Sequence, residues 1–570
     1  MPSTQQVIRA VLLGSFTLDH LPATVDGRIS GAGFSVEWCI APFNQYQQWL
    51  LDPPSDFRRF RPEVVFVAVA AEDLLAGMPT WTAASAEREA FGNDRTQSLV
   101  RALEQAAADN PNITFAVHNL FPSQRSSHPL LAQKLPSTAV KIVASANARL
   151  CELAERMRNV FVLDLAGVAA EVGLRDFYDP RYYYLGSIRF GARGLEAVAA
   201  CYSRFLGALL GKRRKCIVVD LDDTLWGGVL GDLGIEHILV GSGGIGHAFQ
   251  DLQRVLMEYH DTGVLLAICS KNDQAIAMQA VCEHPGMVLR PEHFAAVRIN
   301  WQDKAANLQS IAQELNIGLD SLVFIDDSAF ERGNIRFALP RVEVVELPPD
   351  PAEYARSVAG LECLDLLALT EEDKRRNTMQ RHENERQNLR RRTSTIDEYL
   401  FSLRTEAMLC PGSRSLAPRL AQLTQKTNQF NLTTRRYLEA DVLDRLQDRA
   451  WRVYGFHIKD QMGESGIVAA AFVHVETTRA RLDTFVVSCR VLGRGVEKAF
   501  LAAIADQLRA EGVAELLGEF RPTERNGVSA DFLASSGFNY DHGMWIRSVR
   551  EPLPSPTWIV VRVLDGETHG

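Results

Sequence analysis

Short apolar runs bounded by polar and turn residues recur along the first two thirds of the chain. Before residue 210 they are VIRAVLLGSF, PEVVFVAVA, NITFAVHNL and NVFVLDLAG; afterwards come CIVVDLDDT, VLLAICS, VFIDD and VEVVELP. Between them, apolar residues fall at helical spacing, as in DRTQSLVRALEQAAADN and ASANARLCELAERMR. In HAFQDLQRVLMEYH, the side chains of Phe249, Leu252, Leu256 and Tyr259 form one stripe on a helix. Strands alternating with helices predict parallel sheets covered on both faces, an α/β architecture. Past residue 400 the pattern changes. WRVYGFHIKD, GIVAAAFVHVE and RLDTFVVSC follow one another as strands before a single long helix, VEKAFLAAIADQLRAEG, an α+β arrangement.

These shifts divide the chain into α/β regions at 1–210 and 211–365, a charged helical linker at 366–405, an α+β region at 406–550 and a tail at 551–570. GKRRK at 211–215 reads as a basic hinge between the first two regions. The run at 371–392 holds eight Lys/Arg and five acidic residues and no interleaved aromatic platform, so it reads as a solvated linker helix.

A length of 570 residues with 46% hydrophobic content excludes a wholly disordered chain and a single small domain. No apolar stretch approaches the ~20 residues that span a bilayer. The amino terminus shows no secretory pattern, so a cytoplasmic location without membrane association is expected. A net charge of −9 argues against general nucleic-acid binding. The nine cysteines form no CxxC pair, which leaves free thiols rather than a zinc cluster or disulfide framework. The sequons at Asn112 and Asn431 carry no weight in such a chain.

The most informative run is KCIVVDLDDTLWGG. Its strand delivers Asp220 and Asp222 at the carboxyl end, on the same side of the pleat, where open α/β sheets bind ligands. One carboxylate can attack a phosphoryl group while the other moves the leaving-group proton. Two close carboxylates need a cation between them, which implies Mg²⁺. Three further pieces follow in order. Ser270 ends VLLAICS, with Lys271 and Asn272 directly after it, and suits a phosphoryl oxygen. Lys304 suits the charge of the transferring group, and Asp326 and Asp327 end SLVFIDD as further metal ligands. A competing GxGxxG match, GSGGIG at 241–246, has no strand-end acid at the distance of ~20 residues expected in a dinucleotide site.

The set DxDxT…S…K…DD resembles the haloacid dehalogenase superfamily. That resemblance implies Asp220 as nucleophile, Asp222 as general acid/base, Thr224 in the phosphate loop and Asp326 on Mg²⁺. DLDDTLWGGVLGD, LLAICSKND and VFIDDSAFERGNIR, followed by LTQKTNQFNLTTRRY and VVSCRVLGRGVE, narrow it further, to FkbH-like proteins. That family implies removal of phosphate from D-1,3-bisphosphoglycerate and delivery of the glyceryl group, as a thioester, to the phosphopantetheine arm of an acyl carrier protein in polyketide assembly. Asp223 departs from the Asn associated with the family and adds an acid beside the site.

In the last region, Arg490, Gly493, Arg494 and Gly495 sit in R-x-x-G-x-G between a strand and a helix. This resembles the pyrophosphate and pantetheine loop of GNAT acetyltransferases. Asn526 and the DFLASSGF after it resemble the later part of that fold. A mixed-anhydride carbonyl is open to attack by a thiolate. Cys489 stands beside the glycine loop, Arg490 and the helix amino terminus, and it is favoured over Cys269, which alternates away from Ser270. His457 is a candidate base in the same pocket. Asn428 and Asn431 carry the family signature without an assigned step.

GSFT after the first strand resembles the nucleophile segment of SGNH hydrolases, with Ser15 at the key position and His118–Asn119 ending a later strand. The run nearest to the D-x-x-H element, Asp179–Pro180–Arg181–Tyr182, has no histidine. An SGNH-like α/β/α fold without hydrolase activity is therefore expected at the amino end. Three alternatives stay open: a Mg²⁺-dependent phosphatase with scaffold domains, a CoA-dependent N-acyltransferase fused to a phosphatase-like domain, and a carrier-binding scaffold without chemistry.

Overall fold

The structure, a computed structural model, describes residues 6–564 except 32, 124–125, 371–372, 375, 378–381, 383–384, 387–388 and 391–392. The chain forms two compact units, Met1–Leu206 and Gly207–Gly570.

In the first unit, β1 (Gln6–Gly14), β2 (Phe34–Ile40), β3 (Val64–Ala68), β4 (Thr114–His118) and β5 (Val160–Leu163) form one sheet in the order β2-β1-β3-β4-β5. Every pairing is parallel, and the central strand β3 is buried along its whole length. This is why the apolar runs were continuous rather than alternating. The edge strand β2 is only half-buried, and its FSVEWCI lacked such a run.

Ser15 follows β1, but its surroundings are not those of a hydrolase nucleophile. Its hydroxyl donates to Asp73 Oδ2 at 2.7 Å and accepts from the Ala70 amide at 3.0 Å. Asp73 is in turn paired with the buried Arg189. His118 is buried and shares a 2.7 Å hydrogen bond between its Nε2 and the Tyr202 hydroxyl. The absent histidine base therefore leaves a serine fixed in a polar network.

Burial pushes the His118 pKa down to about 3, against ~6.5 in an unfolded chain. The unfolded chain takes up a proton that the folded one refuses, so stability is lost as pH falls below about 6.5. At about 1.4 kcal/mol per pH unit, this histidine costs roughly 3 kcal/mol between pH 6.5 and 4.5. We expect His118→Gln to flatten that acid slope. Urea unfolding at pH 7 and pH 4.5, wild type against variant, checks it; parallel slopes would refute it.

The second unit contains two sheets. β6 (Cys216–Val219), β7 (Leu265–Ser270), β8 (Phe294–Ile299), β9 (Leu322–Ile325) and β10 (Glu343–Val344) pair in parallel, in the order β10-β9-β6-β7-β8. The stripe on the helix Gly246–Asp261 packs Phe249, Leu252 and Leu256 into the core on one face of this sheet. HILV before GSGGIG forms only a single bridge, Leu239 to Gly227, so no strand leads into that glycine run.

The other sheet is mixed: β11 (Thr405–Pro411), β12 (Trp451–Asp460), β13 (Gly463–Glu476), β14 (Arg479–Val487), β15 (Glu515–Gly518), β16 (Asn539–Asp541), β17 (Met544–Ser548) and β18 (Ile559–Val563). Its order is β16-β17-β15-β14-β13-β12-β11-β18, antiparallel except β14–β15 and β11–β18. β14 leaves β15 after the pair Leu482–Gly518. The edge exposed beyond that point is taken by Phe430–Leu432: Val487 N–H donates to Phe430 O at 3.0 Å, and Leu432 N–H to Phe485 O at 3.2 Å.

The charged run at 371–392 falls in large part outside the described residues. Its described members correct the reading of a solvated helix. Arg386 is buried and donates from Nε and Nη2 to Asp460 at 2.7 and 3.0 Å, and buried Asp373 pairs with Arg376 and Lys426. Paired charges tie this segment into the second unit, because a buried carboxylate such as Asp460 requires cationic partners. Among the described residues no helix is long and apolar enough to cross a membrane.

Candidate functional site

The parallel topology of β6, β7 and β9 brings their carboxyl ends to one edge. Asp220 follows β6, Ser270 ends β7 and Asp326 follows β9, and the Asp220 amide donates to Ile325 O at 3.0 Å, locking the two acidic turns together. Lys304 opens the helix Lys304–Glu314, whose amino end is capped by Asp303. Its buried Nζ lies 2.6 Å from Asp326 Oδ2 and 3.1 Å from Asp220 Oδ1.

Asp220, Asp326 and Asp327 each offer an oxygen within 4.8 Å of the others. Burial raises the Asp220 pKa well above the usual carboxylate range, Asp326 adds to the rise, and Lys304 opposes it. Asp327 is raised for the same reasons, burial first and then the Asp326 charge. One ammonium does not balance three converging carboxylates. The donor set is all hard oxygen, which suits a small divalent cation such as Mg²⁺.

Asp222, expected among the metal-holding carboxylates, stands apart from that group. Its Oδ1 accepts from Trp226 Nε1 at 2.9 Å and from the Leu230 amide at 3.1 Å, and its Oδ2 accepts from Asn272 Nδ2 at 3.0 Å. It is half-buried and fixed by three donors; burial raises its pKa, and the bonds from Leu230 and Trp226 oppose the rise. Asn272 thus positions Asp222. Ser270 lies in hydrogen-bond contact with Asp220, and Lys271 pairs with Glu331 at 2.7 Å. Thr224 is fully buried; its hydroxyl accepts from the Asp327 amide at 3.1 Å and braces the second acidic turn. Asp223 has φ 51° and accepts from the Gly228 amide at 2.6 Å, a left-handed position that suits Asp and Asn alike.

The residues expected around the thiol are dispersed. Cys489 follows β14 and starts the short turn Cys489–Val491; it is partly exposed, and its carbonyl accepts from Asn316 Nδ2. It lines a cavity of about 300 Å³, together with Arg490. Gly493 and Gly495 have φ of 78° and 81°, as a glycine loop requires. Arg494, expected to face substrate, instead turns inward and donates to Asp460 Oδ2 at 3.2 Å. The loop is also covered: Trp558 Nε1 donates to Arg494 O at 2.8 Å, and a Cβ on Gly495 would meet Pro556 at 2.9 Å. Asn526 is fully buried and fastens the backbone, donating to Asn431 O and Arg521 O and accepting from the Thr523 amide. His457 pairs with Glu464 at 2.6 Å and does not line the Cys489 cavity. Cys269 is buried in the apolar cluster on the opposite face of β7 from Ser270, and burial pushes its thiol up to about 12.

Sequence reasoning missed the rest of this cavity. Its walls include Arg213, Arg214 and Lys215 of the supposed hinge and Lys426, Thr427 and Asn428 of the family signature. The only sequence signals were an unexplained charge run and an unexplained motif.

Residues 9–202 match the family model described as FkbH, N-terminal domain. The solved N-terminal part of a Bacteroides fragilis protein, containing a phosphatase domain and complexed with Mg, is 30% identical, covering 64% of this chain and 96% of its own, with a TM-score of 0.60. The chain belongs to the FkbH-like family. The acidic site and this kinship make it an FkbH-like enzyme of the phosphatase type. Acetyltransferases of lower similarity also match. The ribosomal-protein-S18-alanine N-acetyltransferase of Escherichia coli is 18% identical over 25% of this chain and 94% of its own, with a TM-score of 0.21. Ard1 of Thermoplasma volcanium is 18% identical over 25% and 99%, with a TM-score of 0.20. No curated protein sequence matches this FkbH-like chain.

Proposed function

We propose that the chain transfers a glyceryl group from D-1,3-bisphosphoglycerate to the phosphopantetheine thiol of an acyl carrier protein, releasing phosphate, for polyketide assembly. The observation that carries this reading is the placement of a partly exposed thiol, Cys489, in a cation-lined cavity of a chain that also holds a carboxylate phosphoryl-transfer site.

At the acidic site, Asp220, Asp326 and Asp327 would hold Mg²⁺, which would neutralise charge on the phosphoryl oxygens. Asp220 attacks phosphorus and the bond to the leaving oxygen breaks. Asp222 gives that oxygen its proton, then takes one from the water that hydrolyses the aspartyl phosphate. Lys304 stabilises the charge on Asp220 and Asp326 throughout. At the thiol, the Cys489 sulfur bonds to the acyl carbon, the carbon–oxygen bond to phosphate breaks, and orthophosphate leaves with the electron pair. The carrier thiol then displaces Cys489 from the thioester.

The Cys489 cavity reaches the amino end of β6, and the acidic site stands at its carboxyl end. Lys215, in the cavity, precedes β6, and Asp220 follows it. At about 3.3 Å per residue, the chain between them spans about 16 Å, so one small substrate does not bridge both. The covered glycine loop disfavours the CoA-dependent N-acyltransferase alternative.

Metal removal tests the division of labour. Dialysis against EDTA is expected to abolish phosphate release from p-nitrophenyl phosphate, with recovery on adding Mg²⁺, while acylation of Cys489 by 1,3-bisphosphoglycerate persists. Loss of both together would contradict two separate chemistries.

A further inference from the structure

The cavity that holds Cys489 is built from segments that the phosphoryl chemistry does not use. It is lined by nine Lys and Arg side chains and, among the described residues, by two carboxylates, Asp320 and Glu524. Asp320 pairs with Arg341 at 3.4 Å and with Arg525 at 2.9 Å, and Asp373 behind the wall pairs with Arg376 and Lys426. Cations still outnumber the acids that reach them. The backbone of Lys215 is hydrogen-bonded to Ser321 and Leu265, but its ammonium has no hydrogen bond or ion pair among the described residues, and it is near enough to Cys489 for the two to interact electrostatically. The crowding has a cost. Burial, and then the Arg376 charge, push the Lys426 pKa down to about 7, and burial lowers Lys215 as well. Such a set of charges, within a protein of net charge −9, is relieved by an anion. Thr427, Asn428 and Ser488 add polar groups to the same walls.

We infer that this cavity is a second phosphate site, separate from the carboxylate site, that binds a phosphate ester beside the Cys489 thiol. The inference rests on the proposed transfer reaction for the thiol's role, and it locates the ligand of that step. The phosphate belongs either to the small substrate or to the carrier's phosphopantetheine arm, which share the chemistry that Lys and Arg recognise. The site also gives GKRRK and QKTNQ a common place, since residues 213–215 of the first and 426–429 of the second line it with Cys489.

Alkylation of the full-length protein by iodoacetamide, followed peptide by peptide, reads the site directly. Cys151 and Cys282 are exposed and serve as internal references. The probes are inorganic phosphate, 3-phosphoglycerate and 4′-phosphopantetheine. At about ten times its Kd, a bound probe should slow alkylation of Cys489 roughly tenfold and leave the references unchanged. Protection by 3-phosphoglycerate assigns the phosphate to the small substrate, and protection by 4′-phosphopantetheine assigns it to the carrier arm. Lys215→Gln and Arg490→Gln should each weaken protection severalfold, and Lys215→Arg should restore it. Failure of every probe to protect, or equal protection in both Gln variants, overturns the inference. Protection without an acyl adduct on Cys489 leaves the phosphate cavity standing and overturns the transfer reading; an adduct without protection does the reverse.

Discussion

Asp220→Asn is expected to lower phosphate release by at least about a thousandfold, with the fold intact. The amide cannot attack phosphorus, and no other carboxylate in the site takes its place. Asp326 is held by the Lys304 ammonium and the Ser328 amide, Asp327 by Thr224, and Asp222 by Trp226, the Leu230 amide and Asn272. The fold tolerates the change because Lys304 keeps its 2.6 Å partner Asp326, while a buried carboxylate crowded by Asp326 is removed. Single-turnover phosphate release and a thermal melt, run together, check both halves. Activity within tenfold of wild type would remove Asp220 as the nucleophile.

The second large effect concerns the thiol. Cys489→Ala is expected to eliminate the acyl-protein adduct formed from 1,3-bisphosphoglycerate, whereas Cys269→Ala leaves it. Of these two, Cys489 lines a cavity. Cys269 is packed among Cys216, Val218 and Leu308 on the far face of its sheet, and burial holds its thiol protonated. A thiol that cannot ionise is a weak nucleophile, and a packed one cannot admit an acyl phosphate. Peptide mapping of the adduct in each variant decides between them. An adduct that survives Cys489→Ala would move the transfer step elsewhere.

Much of this was legible in the sequence, for physical reasons. Strands buried on both faces of a parallel sheet are apolar without interruption, so β3, β6, β7 and β9 showed as runs. Their carboxyl ends then placed Asp220, Ser270 and Asp326 at one edge by topology alone. β2, half-buried at its edge, and the short strands β15 to β17 carried no such run, while β18, IVVRV, was read as part of the tail. Side-chain direction in the glycine loop was not legible either, because Arg494 is turned inward by Asp460, 34 residues away. The charged run at 371–392 misled for the same reason: Arg386 and Asp373 find buried partners that only tertiary packing supplies. GKRRK and QKTNQ are over 200 residues apart in the chain, and nothing local joins them.

The Cys489 cavity reaches the amino end of β6, and the acidic site stands at its carboxyl end. Intact-mass spectrometry of the full-length protein, given 1,3-bisphosphoglycerate and then a pantetheinylated carrier protein, tests the proposed transfer most directly. The expected result is a glyceryl or phosphoglyceryl adduct that maps to Cys489 and then passes to the carrier as a glyceryl thioester. Absence of an adduct on both proteins, with phosphate still released, would contradict the transfer and leave a phosphatase alone.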